Sequence, residues 1–210
     1  MPHCPARLAE AEQVFNDTAM ITAIVVVVLL LAAGLVFWLL RRPGEKASDR
    51  LVRGRRIPEF TVQTEDGEPA GPSDLRGLPA VLIFLRGNWC PFCSAQVEDL
   101  TQHYRQINEL GARLILVVPK PQQTTRRVAD LFGVDFTFWM DPDLAAAREL
   151  GIAHPGGVPA DYRDEYGTDT LRPVSVVIDS EGIVRYANRS KDVRERPDPA
   201  EFLKVLERLR

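Results

Sequence analysis

Cysteine is scarce in this chain, three residues in 210, and its placement excludes a structural zinc centre. Such a site takes four ligands. The sequence offers one C-x-x-C pair, Cys90 and Cys93, with no second pair and no H-x-x-x-H to complete it. The third cysteine, Cys4, lies on the far side of a long apolar run and reads as an ordinary terminal residue. An excess of one charge is also missing: 26 basic residues stand against 29 acidic ones, net −3, with no basic patch interleaved with aromatics. Nucleic acid is therefore not an expected partner. Histidine is as rare as cysteine. His103 falls on a helix about three turns from Cys90, roughly 20 Å away, which is out of reach for a catalytic base. His154 opens His-Pro-Gly-Gly, which reads first as turn chemistry. No metal and no cofactor is expected.

What the chain does have is a ten-residue stretch, Phe84-Leu-Arg-Gly-Asn-Trp-Cys-Pro-Phe-Cys93. An apolar run, Ala80 to Leu85, empties into Arg86-Gly87-Asn88, and a long amphipathic segment follows. This places Cys90 at the mouth of a helix, with Pro91 at the first helical position, where a missing N–H is harmless. Free N–H groups and the positive end of the helix dipole favour a thiolate there. Cys93, one turn on, is close enough to form a disulfide with Cys90 or to attack a mixed disulfide. An inert packed pair is the alternative, since free cysteine is often buried.

A second conspicuous stretch is Ala19 to Leu40, 22 residues without a charge. As a helix it would be about 33 Å long against a hydrocarbon core of about 30 Å. It is too long for a signal peptide's apolar core and ends at Arg41-Arg42, so the expectation is an uncleaved single-pass anchor in contact with membrane lipid. Arg41 to Arg56 holds seven basic and two acidic residues. The positive-inside rule then puts the following domain in the cytoplasm, the extracytoplasmic side being the alternative. The expected organisation is a tail (1–18), a transmembrane helix (19–40), a basic linker (41–56) and one domain (57–210).

Within that domain strands and helices alternate. Strands are expected at 57–63, 80–85, 113–118, 136–140, 172–179 and 183–187, with turns at Asp66-Gly67 and Ser180-Glu-Gly182. The helix after Cys90 carries Val97, Leu100, Tyr104, Ile107 and Leu110 as one stripe, with Gly111 as its stop. Further helices are expected at 124–132, after the Asp141-Pro142 cap, and from Asp198-Pro199 to Leu209. The pattern predicts an α/β sandwich with a largely parallel core, its sheet covered on both faces. Residues 152–171 have no periodicity and read as a long functional or disordered loop.

In this order and spacing, Ile-Pro-Glu-Phe-Thr-Val (57–62), Asp-Leu-Arg-Gly (74–77), Arg-Gly-Asn-Trp-Cys-Pro-Phe-Cys (86–93), Met-Asp-Pro-Asp-Leu (140–144) and Pro-Val-Ser-Val-Val-Ile-Asp-Ser-Glu-Gly (173–182) resemble the thioredoxin superfamily. The branch is the peroxiredoxin-like one (alkyl hydroperoxide reductase/thiol-specific antioxidant). The resemblance implies a thioredoxin-like sandwich with a central mixed sheet. It implies Cys90 as the attacking thiolate, Cys93 as the resolving one, and Pro173 as a cis-proline facing the pair. Two departures accompany it. Typical peroxiredoxins carry threonine three residues before the attacking cysteine, where this chain has Gly87, and their arginine falls at Pro173, one residue after Arg172. Thioredoxin's buried acid is replaced by Phe84.

Lowering a thiol pKa by 2 units takes about 2.7 kcal/mol, more than a helix terminus supplies. A cation must contribute, and Arg86 and Arg172 are the candidates, with Trp89 at the rim shielding the sulfur. Arg86, Trp89 and Pro91 are the expected substrate-binding residues, and Cys90, Cys93, Arg172 and Pro173 the catalytic ones. The expected activity is peroxide reduction with an external thiol donor of thioredoxin or quinone/membrane-reductase type. Disulfide reduction or exchange is the alternative, and a redox-inert binding module using the 152–171 loop is the third.

Overall fold

The computed structural model describes residues 26–32, 50–120, 133–189 and 192–210. The chain divides into two compact units, residues 1–45 and 46–210. In the first unit the described residues, 26–32, form a short exposed helical stretch. Among the described residues no helix is long and apolar enough to cross a membrane. The expected single-pass placement, its lipid contact and the choice of a cytoplasmic domain are corrected accordingly. The rest of the expected span, Cys4 and the expected helix at 124–132 lie outside the described residues.

The second unit is built on a seven-stranded sheet, β1 (Val62–Thr64), β2 (Pro69–Ala70), β3 (Ala80–Phe84), β4 (Arg113–Val118), β5 (Thr137–Met140), β8 (Val174–Ile178) and β9 (Val184–Arg189). Their order is β2-β1-β5-β4-β3-β8-β9. The sheet is mixed rather than largely parallel: only β3–β4 and β4–β5 are parallel, and the other ladders are antiparallel. The long helix α1 (Pro91–Glu109) and the closing helix α4 (Pro199–Glu207) cover one face. A shorter helix, α2 (Ala145–Glu149), lies on the other.

Strand periodicity explains why β3 is apolar throughout. Successive side chains point to opposite faces. Val81, Ile83 and Leu85 meet Val97, Leu100 and Ile107 of α1 and Phe202 and Leu206 of α4. Leu82 and Phe84 meet Phe60, Trp139 and the α2 alanines on the other face. With both sides covered, no position on the strand is left for a polar residue.

The ends of α4 and α2 show how caps set boundaries. Asp198 is the N-cap of α4, its carboxylate accepting from the Ala200 N–H at 2.8 Å, with Pro199 at the first helical position. Asp141 acts further downstream than expected. Its carboxylate accepts from the N–H groups of Ala146 (3.1 Å) and Ala147 (2.9 Å), so α2 begins at Ala145, after a left-handed Leu144 (φ 54°), and not at Pro142.

The aperiodic 152–171 segment is ordered by pairing. Strands β6 (Ala153–His154) and β7 (Thr170–Leu171) form an antiparallel two-stranded sheet, and a 3-10 turn (Ala160–Tyr162) and helix α3 (Arg163–Tyr166) lie between them. Two-residue strands have no internal pattern to betray them, because only their partner defines them.

Candidate active site

Sheet register decides what meets Cys90. Phe84, the last residue of β3, pairs with Val174 at the start of β8, and Val174 pairs with Arg189 at the end of β9. The segments leaving β3, entering β8 and leaving β9 therefore share one end of the sheet. Cys90 is the N-cap residue of α1, its N–H bonded to Gly87 O at 3.2 Å and its own carbonyl accepting from Cys93 and Ser94. Both cysteines are free thiols and both are about 1 % exposed.

The Cys90 thiol is lowered to about 6. The largest cause is a hydrogen bond from the Cys93 thiol; burial opposes it, and the Cys93 backbone N–H and the charges of Arg196 and Arg86 assist. Cys93 is pushed the other way, because it donates that hydrogen bond, is buried and faces a neighbouring negative sulfur. One proton shared unequally between two sulfurs gives one group that attacks and one that waits. At pH 7 Cys90 is then chiefly the thiolate.

The nearest cation is one that sequence reasoning missed. Arg196 Nη2 donates to Cys93 Sγ at 3.0 Å and to Cys90 Sγ at 3.6 Å. It lies 106 positions from Cys90, so no local spacing points to it. The available signal was topological: a β8–β9 hairpin beside β3 returns the chain to the cysteine end.

Arg86 is 8 % exposed, with Nη2 donating to Gly157 O at 2.8 Å and its guanidinium 4.7 Å from the Trp89 ring centroid. Arg172 stands at the same end, just ahead of β8, with its backbone N–H on Ile152 O. Pro173 is buried beside it, and the expected cis bond is not formed: no peptide bond is cis among the described residues. The correction has a simple basis, because trans is the favoured isomer of X–Pro and the bond leads directly into an extended strand. Pro91 is exposed at the first position of α1.

The 152–171 segment closes over the cysteine loop. Tyr162 stacks on Trp89 with centroids 6.1 Å apart, the Tyr166 hydroxyl donates to Asn88 Oδ1, and Thr170 Oγ1 donates to Arg86 O at 2.6 Å. His154 sits in β6, its ring lying against Gly157. Three buried donors on residues of this loop and its neighbour, Arg86 Nε, Trp89 Nε1 and Arg196 Nε, have no acceptor. Buried donors are normally satisfied, so a group of them beside a thiolate suits a ligand that accepts hydrogen bonds.

Gly87 explains one departure from the threonine pattern. Its φ is 148°, and a Cβ there would lie 2.6 Å from Trp89 Nε1. Gly87→Thr is expected to displace Trp89 from Tyr162 and destabilise the domain by about 1–3 kcal/mol. That corresponds to a melting temperature lower by roughly 3–10 °C. A thermal melt together with tryptophan fluorescence checks both; an unchanged melt would show that the loop tolerates a side chain here.

A thiolate at a helix N-terminus on a thioredoxin-like sheet, with a second thiol one turn away, defines a dithiol oxidoreductase. The sequence model of the AhpC/TSA family matches residues 53–187, and the chain belongs to that family. Similar proteins include the chloroplastic peroxiredoxin Q of Oryza sativa subsp. japonica, 26 % identical over 172 residues, 80 % of this chain and 74 % of that protein. A peroxiredoxin of Thermoplasma volcanium is 30 % identical over 142 residues, 65 % of this chain and 64 % of the other. Among solved structures, the peroxidoxin BcpB of Mycobacterium tuberculosis superimposes with a TM-score of 0.59 at 18 % identity, covering 75 % of this chain and 97 % of that one. The chain is a peroxiredoxin-like, thiol-dependent oxidoreductase. The redox-inert binding module is set aside.

Proposed function

We propose that this protein reduces peroxides, with Cys90 as the attacking sulfur and Cys93 as the resolving one. The observation that supports this most directly is the Cys90 thiolate, held by the Cys93 proton and flanked by two guanidinium groups with unpaired N–H donors. Cys90 attacks one peroxide oxygen, the O–O bond breaks, and the other oxygen leaves as an alcohol or water after taking a proton. Cys90 becomes a sulfenic acid. Cys93 attacks that sulfur, expels its oxygen as water and closes the disulfide, and an external dithiol donor returns two electrons. Arg86 and Trp89 orient the peroxide oxygens. Oxygen lone pairs accept from their N–H groups, and charge developing on the leaving oxygen is stabilised in a site from which water is excluded.

Disulfide exchange is the second reading, favoured by Gly87, which leaves no hydroxyl three residues before Cys90. Stopped-flow mixing of reduced protein with hydrogen peroxide, and separately with a small disulfide, distinguishes the two. The expected result is a peroxide rate well above that of free cysteine at the same pH. A peroxide rate no faster than free cysteine, with rapid reaction of the disulfide, would transfer the function to the second reading.

A further inference from the structure

Arg196 is closer to the sulfur that is not the nucleophile. Its Nη2 is 3.0 Å from Cys93 Sγ and 3.6 Å from Cys90 Sγ. Before oxidation Cys93 is a neutral thiol donating to the Cys90 thiolate, and Arg86 already supplies a positive charge to Cys90. Arg196 also helps to lower Cys90, but the sulfur it lies nearest is a neutral thiol, which needs no cation in the first step. The guanidinium's position fits the second.

Once Cys90 has become a sulfenic acid its negative charge is gone. The two influences that kept the proton on Cys93 through its neighbour, the hydrogen bond to a thiolate and the repulsion from it, disappear together. Burial still resists ionisation, and Arg196 is the charge that opposes burial. The guanidinium is fixed for this purpose: Nη1 donates to Val193 O (2.9 Å) and Glu195 O (2.7 Å). The loop itself is held by Asp192, whose carboxylate and carbonyl accept from the N–H groups of Arg194 and Glu195. A cation locked in place before the charge appears loses nothing to reorganisation when it does.

We propose that Arg196 is a catalytic residue of the resolving step, holding Cys93 as a thiolate while its sulfur attacks oxidised Cys90. For the sulfenic acid, Cys93 gives up its proton, the new S–S bond forms, and the Cys90 S–O bond breaks. The departing hydroxide and that proton leave as water. The nature of the first oxidant rests on the peroxidase reading, but the step is the same when Cys90 carries an aromatic thiol as a mixed disulfide. The leaving group is then the aromatic thiolate.

That equivalence gives a test independent of peroxide. Reduced protein mixed with one equivalent of an aromatic disulfide such as Ellman's reagent releases coloured thiolate in two phases. Attack by Cys90 gives the first and displacement by Cys93 the second. In Arg196→Gln at neutral pH the second phase is expected to slow by about ten- to a hundred-fold, as loss of an adjacent cation lowers the thiolate fraction. The first phase, still served by Arg86, slows by a few-fold. Raising the pH restores the second phase of the variant, and Arg196→Lys retains much of it at neutral pH. A second phase equal to wild type, or a deficit that alkali does not relieve, would overturn the assignment.

Wild-type protein supplies its own control should the glutamine variant fail to fold. Its second phase is expected to be nearly flat between pH 7 and 9, and a tenfold rise per unit across that range would show an unassisted thiol and overturn the proposal. With peroxide as oxidant, dimedone trapping should find Cys90 sulfenic acid accumulating in Arg196→Gln. No trappable sulfenic acid in either protein, with the two coloured phases behaving as described, would reject the peroxidase reading and leave Arg196 in place.

Discussion

Cys93→Ala is expected to abolish turnover and at the same time raise the pKa of Cys90. Turnover stops because no internal thiol remains to close the disulfide, so each Cys90 reacts once and the sulfenic acid persists or is oxidised further. The second effect comes from the reduced state. The largest influence lowering Cys90 to about 6 is the hydrogen bond from the Cys93 thiol, and alanine removes the donor. Burial of Cys90, which opposes ionisation, is left in place. The remaining help comes from Arg196, Arg86 and the backbone N–H at position 93.

The pH profile of alkylation gives the sign directly. Only the thiolate reacts, so the rate of iodoacetamide labelling at Cys90 rises as pH increases through the pKa and then levels off. In wild type the half-point is expected near 6. In Cys93→Ala it moves up by at least one unit, so labelling at pH 6.5 slows by about threefold or more. Cys93→Ser separates the two roles. Its hydroxyl can still donate, so the half-point stays below that of the alanine variant, while turnover is lost in both. A half-point unmoved by alanine would mean that the arginines alone create the thiolate and that Cys93 contributes only its chemistry.

The parts of this site that the sequence disclosed are those that neighbours along the chain determine. A buried strand stopping at Arg86-Gly87, a proline at the first helical position and two cysteines one turn apart each have a local cause, and α1 buries the expected Val97, Leu100 and Ile107. Arg196 was hidden because its approach depends on two antiparallel ladders and the loop that follows β9. Arg172 drew attention by lying near a proline in sequence, whereas Arg196, whose charge helps to lower Cys90, had no such marker. The 152–171 segment showed no period because its order comes from contacts with residues 86–89 and from the β6–β7 pair.

Phe84→Ala is expected to cost about 3–5 kcal/mol of stability while leaving the thiol chemistry unchanged. Phe84 is fully buried and meets Phe60 edge-on at 6.1 Å, and Phe60 in turn meets Trp139 at 6.4 Å. Removing the ring takes away one end of that chain of aromatics, and a rigid sheet packed against α2 on this face cannot collapse to refill the space. For a domain of this size the loss corresponds to a melting temperature lower by roughly 6–20 °C. Cys90 and Cys93 belong to the cluster on the opposite face of the sheet, although Phe84 is only six residues before Cys90. Strand alternation thus separates residues that sequence places side by side. The check is a calorimetric melt of the reduced variant beside its alkylation profile below the transition. A large fall in melting temperature with the half-point still near 6 supports the division between faces. A half-point shifted by a unit or more would show that the packing under β3 also positions the sulfurs, and that the two faces of the sheet act as one.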